Sequence, residues 1–518
     1  MGSSQSRRTV TASENSGDGA LLNASGEDDW SVQHEVWELM KLTIPIFMTM
    51  VSWVTMKVTD TAVLGHSGTE YLDATALSDL WTSSTGVFIQ SRVVGTFCGQ
   101  AFGAGNKMLV GIWLQVSYAV LCSVMIPVAI CWFLTGVVLD ALGKDQQETR
   151  DASYYAMVLA VCLPVRIGFS QLSSFLTSQK ILRPGVICSA IAMLMNLTGN
   201  LVLVLGMGIP GWNGFGFKAC PWVTTVVEFV QLAILWYFFC HRQGLHKECW
   251  PGWSKDHVTR ERVKTFVKMY LPAALSIGSD FWRVAVIGYV ASSLGKVDLG
   301  VFNASYRICW MCLTFLGALA GAVGMQMNIA LGKGSAVSAK RSAAVGTGLA
   351  MTFLVVLALI VVCIPRQLGA IFSNDVEVLD LFEETRWSFA AFAVLMNLSV
   401  NLERIPMSAG RVNSVFYAGL AGSWLGQVPG VILLTKYWRN DLVGLYCGVA
   451  AGYGLLVVLY AGIIINLDWN QVVAEAHARS EVSRKPAETL TASLQPTHSR
   501  ADGAERAAGG RAGAGAST

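Results

Sequence analysis

Charge is scarce in this chain. Only 14% of its 518 residues are Asp, Glu, Lys or Arg, where a soluble domain carries roughly 25%. That shortage excludes an ordinary water-solvated globule. A hydrophobic share of 53% and a mean hydropathy of +0.49 point the same way. Histidine is scarcer still. All seven histidines (34, 66, 241, 246, 257, 477 and 498) fall in expected loops, tails or span ends. None forms a His-Glu-x-x-His pair, so zincin-type hydrolysis is excluded and no metal site is expected. There is no Gly-x-Ser-x-Gly elbow. Gly332-Lys-Gly-Ser335 is not a phosphate-binding loop, because Gly follows the Lys, so ATP-driven work is not expected either. Strand-like alternation is missing, which removes a membrane barrel. The first 35 residues lack an apolar core, so no cleavable signal peptide is expected. The chain reads as no enzyme and as needing no cofactor.

Long apolar runs fill the space. A bilayer crossing takes about 20 apolar residues. Twelve such stretches are legible, near 39–64, 76–101, 109–138, 153–178, 185–207, 215–240, 265–292, 301–328, 342–364, 385–409, 413–436 and 443–466. The expected fold is therefore an all-α integral membrane protein of twelve helices. Residues 1–35 read as a disordered tail, 36–240 as a first lobe, 241–263 as a polar connector, 264–466 as a second lobe, and 467–518 as a disordered tail rich in Ala, Gly, Ser and Arg. With the N-terminus in the cytoplasm, the inner loops collect Lys107, Lys180, Arg183, Arg242, Lys247, Lys333, Lys340 and Arg341. The outer loops collect Glu70, Asp73, Asp140, Asp145, Glu148, Asp375 and Asp380. That bias puts both termini inside. Net charge is only +3 and says little by itself; no nucleic-acid partner is expected. Met1-Gly2-Ser-Ser-Gln-Ser6 fits the N-myristoylation pattern at Gly2, or is simply a small-residue tail. Asn23-Ala-Ser25 is a glycosylation sequon on the cytoplasmic side, where it stays unmodified.

The chain is internally duplicated. Gly95-Thr-Phe-Cys-Gly-Gln-Ala-Phe-Gly-Ala-Gly-Asn106 stands where an apolar run meets a charged loop, and Gln326-Met-Asn-Ile-Ala-Leu-Gly-Lys-Gly334 is its weaker copy. Gly103 and Gly105 map onto Gly332 and Gly334 with one offset (332 − 103 = 229; 334 − 105 = 229). Each half opens with a proline in its first span, Pro45 and Pro272, and each has an acidic outer loop at Asp145 and Asp375. Either proline is a static kink or a bend that changes as a cavity opens. A six-plus-six duplication implies two bundles facing each other with a solute path between them. The twelve cysteines are scattered; Cys309-Trp-Met-Cys312 has metal spacing but no second pair and reads as packing. Glycines four apart (317/321, 422/426, 444/448/452) read as close helix contacts.

Val63-Leu-Gly-His-Ser-Gly68, Gly99-Gln100-Ala-Phe-Gly-Ala-Gly-Asn106, Trp113-Leu-Gln115, Leu182-Arg-Pro184 with Asn196, and Ile371-Phe-Ser-Asn-Asp-Val-Glu377 carry a resemblance. Together they resemble the multidrug and toxic compound extrusion (MATE) family over roughly 36–466, with the second half more diverged. The resemblance implies two pseudo-symmetric six-helix lobes and export of small organic solutes in exchange for protons or, less favoured, sodium ions. The chain is expected to work as a monomer in the bilayer of a plasma membrane or an acidic organelle. Asp60 matches the aspartate that microbial relatives use for proton coupling. Asp280, before Trp282, matches the acidic residue of the seventh helix in eukaryotic relatives. Asn196, Asn200, Trp282, Arg283 and Glu403 are the expected substrate cavity, and Pro45, Pro272, Gln100, Gly103 and Gly105 the conformational motif. The chain departs from the family at Ala285 and Asn200, where acids are common, at Met396, where an acid is missing, and at Met407, where Arg is usual; Glu403 and Arg404 lie nearby.

Ionisable groups inside spans cost about 2.5–3.5 kcal/mol on insertion scales, so each invites a role. Burial favours the neutral form of a carboxyl group, which lets it carry a proton. Against that, Lys57 and Asp60 are three apart, as are Asp280 and Arg283, so each pair shares a helix face. A paired carboxylate stays charged and carries protons poorly. Arg92, Arg166, Arg283 and Arg307 form an unusual set of intramembrane cations. Singly they neutralise neighbours such as Asp79 or Glu228. Jointly they suit an anionic, citrate-like solute. Trp53, Trp81, Trp282 and Trp310 offer aromatic faces for a cation instead, or simply meet lipid. A lipid-linked sugar flippase of the same two-lobed plan is the remaining alternative.

Overall fold

The computed structural model describes residues 31–90 and 93–481. Gly2, Asn23 and Arg92 lie outside the described residues. Helices follow one another with short turns: α1 (Val32–Ser67), α2 in two pieces (α2a, Thr69–Gly86; α2b, Val94–Gly103), α3 (Lys107–Phe133), α4 in two pieces (α4a, Gln146–Val161; α4b, Leu163–Ser178), α5 (Arg183–Val204), α6 (Gly216–Arg242), α7 (Arg260–Leu294), α8 (Lys296–Gly332), α9 (Ala336–Cys363), α10 (Val376–Ser408), α11 (Val412–Tyr437), α12 (Leu442–Ile465) and α13 (Trp469–Glu481). No strand occurs among the described residues. The first twelve of these are the transmembrane helices of an all-α membrane protein in two six-helix lobes, α1–α6 and α7–α12.

Eight of the helices are long and apolar enough to span a bilayer by composition alone, and the α4 pieces make a ninth, bent by 49° just before Pro164. The other three spans have identifiable reasons for failing that test. α2 breaks at Val87–Val93, while α7 and α10 carry charges at their ends and, at Asp280, Arg283, Glu403 and Arg404, inside. Pro45 and Pro272 sit within α1 and α7, each of which runs through its proline as one helix.

Three boundaries differ from expectation. α1 begins at Val32, because Ser31 accepts a hydrogen bond from the His34 N–H and caps it (3.1 Å). The connector shrinks to 243–259, since α6 extends to Arg242 and Thr259 caps α7. The segment after 467, expected to be disordered, instead folds through Glu481 as α13. Its Val472 and Ala476 are buried with Leu331, Ala339 and Ala409, and its Glu475 pairs with Arg411 at 3.0 Å. Composition alone did not expose this short apolar stripe among small and polar residues.

The duplication has a physical reading. α1 and α12 bring the described ends of the chain to one face of the bundle, here the termini face; the opposite end is the far face. Six spans per half leave both halves in the same orientation, so the pseudo-two-fold axis runs along the membrane normal. On that axis α2b crosses α8. A Cβ on Gly103 would overlap the Ile329 carbonyl, and a Cβ on Gly332 would overlap the Gln100 carbonyl. These contacts are reciprocal at the sequence offset of 229 (100 to 329, 103 to 332), as a two-fold contact must be. Gly99 faces its own equivalent, Asn328. Gly105 and Gly334 both take left-handed backbone, at φ +73° and +84°, to turn the chain out of the crossing. Asn106 and Ser335 then cap the next helices in the same way.

Candidate functional site

The lobes meet near the termini face and part toward the far face. Beyond the glycine crossing, Gln100 Nε2 donates to the Ser408 carbonyl across the lobes (3.1 Å). Along α8, positions for a Cβ on Gly321 and Gly317 lie 4.0 and 3.5 Å from Ile46 and Met50 of α1. The same α8 face continues at helical spacing through Thr314, Trp310, Arg307 and Asn303. There it meets nothing: Trp310 is 52% exposed, and Arg307 and Asn303 are exposed. The α1 face continues from Met50 to Trp53, 60% exposed. The α7 face passes from Gly278, packed on Val87, to exposed Trp282 and Tyr289. Faces that mate at one end and stand bare at the other define a cleft open to the far face. Trp53 and Trp282 are equivalents at the offset of 229, so each lobe presents a tryptophan to it.

The N-lobe has a polar centre behind this cleft. Asp60 on α1 is 2% exposed. Its Oδ1 accepts from Asn196 Nδ2 (3.0 Å) and Asn200 Nδ2 (2.8 Å), both on α5, and its Oδ2 accepts from Thr224 Oγ1 on α6 (3.0 Å). The expected Lys57–Asp60 pairing is not made. Lys57 turns to Asp79 on α2a at 3.2 Å, so Asp60 has neutral donors and no cation at ion-pair distance among the described residues. One turn from Thr224, Glu228 takes both its oxygens to Arg166 Nε on α4b (3.2 and 3.1 Å). The Arg166–Glu228 pairing is the neutralisation of a neighbour that the sequence suggested for this arginine.

The C-lobe centre is cationic. Arg283 is 4% exposed and reaches Ser423 on α11 (3.2 Å), the Tyr453 hydroxyl on α12 (3.1 Å) and Asp280 (3.2 Å). Its Nε has no protein partner. The Asp280 side chain is 55% exposed, so this carboxylate is charge-paired and wet where Asp60 is neither.

The residues expected to form one substrate cavity thus separate into four places. Asn196 and Asn200 wrap Asp60, Arg283 lies inside the C-lobe, Trp282 alone of the five is placed on the cleft face, and Glu403 is half-buried near the termini-face end of α10. Sequence reasoning missed Thr224, Ser423 and Tyr453, because a hydroxyl in an apolar run carries no signal until its partner helix is in place. Cys309 and Cys312 are free thiols, as packing residues should be. Replacing Arg166 with leucine is expected to lower stability by about 1–3 kcal/mol, because the part-buried Glu228 is left without its counter-ion. A double Arg166→Leu, Glu228→Leu protein is expected to recover most of that loss, read as thermal unfolding midpoints in detergent.

The MatE family model matches residues 45–202 and 272–432, more than half of the chain and one block in each lobe. The chain belongs to the MatE family. It is similar to Multidrug and toxin extrusion protein 1 of Danio rerio, 24% identical over 456 residues that cover 86% of this chain and 75% of the relative. It is 25% identical to Multidrug and toxin extrusion protein 2 of Homo sapiens over 496 residues, 86% of this chain and 79% of that one. Among solved structures, the eukaryotic MATE transporter AtDTX14 matches with a TM-score of 0.78 at 21% identity, covering 87% of this chain and 99% of that one. A MOP superfamily transporter from Pyrococcus furiosus, described by its reversed pocket polarity, matches with a TM-score of 0.72 at 15% identity, covering 86% and 96%. This MatE chain is a membrane transporter and not an enzyme.

Proposed function

We propose that this MatE chain is a secondary antiporter. It exports small organic solutes from the cytosol in exchange for protons, by rocking its lobes between a state open to the far face and one open to the termini face. The observation that carries the reading is Asp60, a carboxyl group buried inside the N-lobe and held by three neutral donors, while Lys57 makes its ion pair with Asp79. Such a group can lose or gain a proton without breaking an ion pair. The basic residues of the termini-face turns (Lys107, Lys180, Arg183, Lys333, Arg411) support a cytoplasmic termini face. The names of the relatives support organic solutes of the multidrug and toxin kind. One chain supplies both lobes, so a monomer suffices. The plasma membrane and the membrane of an acidic organelle both provide the required gradient.

A specific observation favours a second coupling ion. Asn196 Oδ1 and Asn200 Oδ1 are buried beside Asp60 without donors, and oxygens grouped around a carboxylate suit a hard cation such as sodium. Solute charge also has two readings. Trp53 and Trp282 suit an organic cation; exposed Arg307 suits a carboxylate. Proteoliposomes separate these options. With an acid interior and labelled tetraethylammonium or citrate outside, amine accumulation without sodium is the expected result. Sodium-dependent uptake moves the coupling to sodium, and citrate uptake moves the solute to anions. Transport of either solute that ignores both gradients would sink the antiporter.

A further inference from the structure

Serine and threonine hydroxyls in apolar helices usually turn back onto the carbonyl three or four residues earlier. This chain largely follows: Thr43 to Leu39, Ser52 to Met48, Thr82 to Ser78 and Thr385 to Leu381, all at 2.7–2.9 Å. Thr96 on α2b and Ser173, Ser174 and Thr177 on α4b do not. Among the described residues their hydroxyls make no hydrogen bond, and all four line one cavity of 180 Å³. Its other wall is α8 and α10 of the opposite lobe, so both lobes are needed to build it. It lies on the termini-face side, where the lobes are in contact.

Three further features bear on what it holds. Gly95, Gly321 and Gly324 keep the walls low, and a Cβ on Gly95 would meet nothing within 4 Å. Asn328 is 5% exposed, and its Oδ1 has no donor. The charged residue on the wall is Arg404, which also has an interaction within the protein, and no carboxylate lines the cavity. A planar guanidinium with several hydroxyl donors matches a small oxyanion. A lone buried acceptor beside them matches an oxyanion that still carries a proton. A volume of 180 Å³ exceeds many-fold the roughly 10–15 Å³ that one water needs on the same measure, enough for a small oxyanion.

We propose that this cavity binds a small oxyanion of the hydrogenphosphate class, and that the bound anion holds the two lobes together at the termini face. Because the walls come from both lobes, the site exists only in the state closed at that face. Any ligand that fits it stabilises that state by mass action. The site is separate from Asp60, Arg283 and the cleft, and it stands whichever ion or solute the antiporter carries.

The test uses the full chain in lipid nanodiscs, titrated with inorganic phosphate at constant ionic strength, with chloride and citrate arms. Phosphate is expected to raise the unfolding midpoint saturably and to slow backbone hydrogen exchange in α2b and at the end of α8. Chloride should do neither. Saturation by phosphate alone identifies the ligand as a phosphate; saturation by citrate as well widens it to small oxyanions, and both support the site. Ser174→Ala with Thr177→Val, which removes two donors at nearly constant volume, should weaken phosphate at least about tenfold, the equivalent of ~1.4 kcal/mol. Gly95→Leu should abolish binding by filling the space. A phosphate effect equal to that of chloride, or one unchanged in the double variant and in Gly95→Leu, overturns the proposal.

Discussion

Asp60→Asn is expected to uncouple transport from the pH gradient while the protein still folds and binds solute. The substitution preserves shape, and Thr224 can still donate to the remaining carbonyl oxygen. The Asn196 amide that now donates to Oδ1 can turn over to accept from the new amide, because its own oxygen has no donor to lose, while Asn200 Nδ2 stays tied to the Asn196 carbonyl. What disappears is the carboxyl group of that centre. Coupling free energies of ~1–3 kcal/mol correspond to about 5–150-fold differences in affinity between states. In the Asn protein that factor should fall to one. The measurement is solute uptake with and without an imposed gradient, in wild type and variant at equal protein. Equal gradient stimulation in both would move the coupling group elsewhere, Asp280 first. Asp280→Asn is expected to do less, because that carboxylate is half exposed and already tied to Arg283.

The spans were legible in the sequence because each is a local property. A run of some twenty apolar residues declares itself without knowledge of its neighbours, and the expected stretches fall inside the observed helices within a few residues, as with 109–138 against Lys107–Phe133. The duplicated glycines were legible for a related reason: a position that tolerates no side chain leaves a mark at a fixed offset. Gly103 and Gly332 could be matched to each other as a repeat. That they press on each other's helices across the axis could not be read. Partner choice was the least legible part. Lys57 has a carboxylate three residues away on its own helix, yet it pairs with Asp79, 22 residues on. Asp60 finds Thr224 at a separation of 164 residues. Such choices depend on which helices pack side by side, and no local pattern encodes that. α13 escaped because its few apolar residues find their partners on α8 and in the turn after α10.

Gly332→Val and Gly103→Val are expected to weaken closure at the termini face, and for that reason to change transport more than any substitution in the cleft. At the crossing of α2b and α8, each glycine lies against the carbonyl of the other helix, Gln100 for Gly332 and Ile329 for Gly103. A side chain there cannot be absorbed by a rotamer change, since the opposing atoms are backbone. Overpacking of this kind costs ~1–3 kcal/mol or more. The cost falls on the state in which the lobes touch and is relieved when they part at that face. A change of that size moves a two-state population by about 5–150-fold, so the cycle should stall with the termini face open. The two variants should behave alike, because the contact is reciprocal. Gly105→Ala supplies the contrast. Gly105 has φ +73° and nothing within 4 Å of its would-be Cβ, so alanine there strains the turn by about 1 kcal/mol without wedging the lobes apart. Gly105→Ala should therefore lower the unfolding midpoint slightly and leave exchange protection of α2b in place, while Gly103→Val loses that protection. If both lose it equally, the glycines serve the turn and not the crossing, and the axis would close through Gln100 and Ser408 instead.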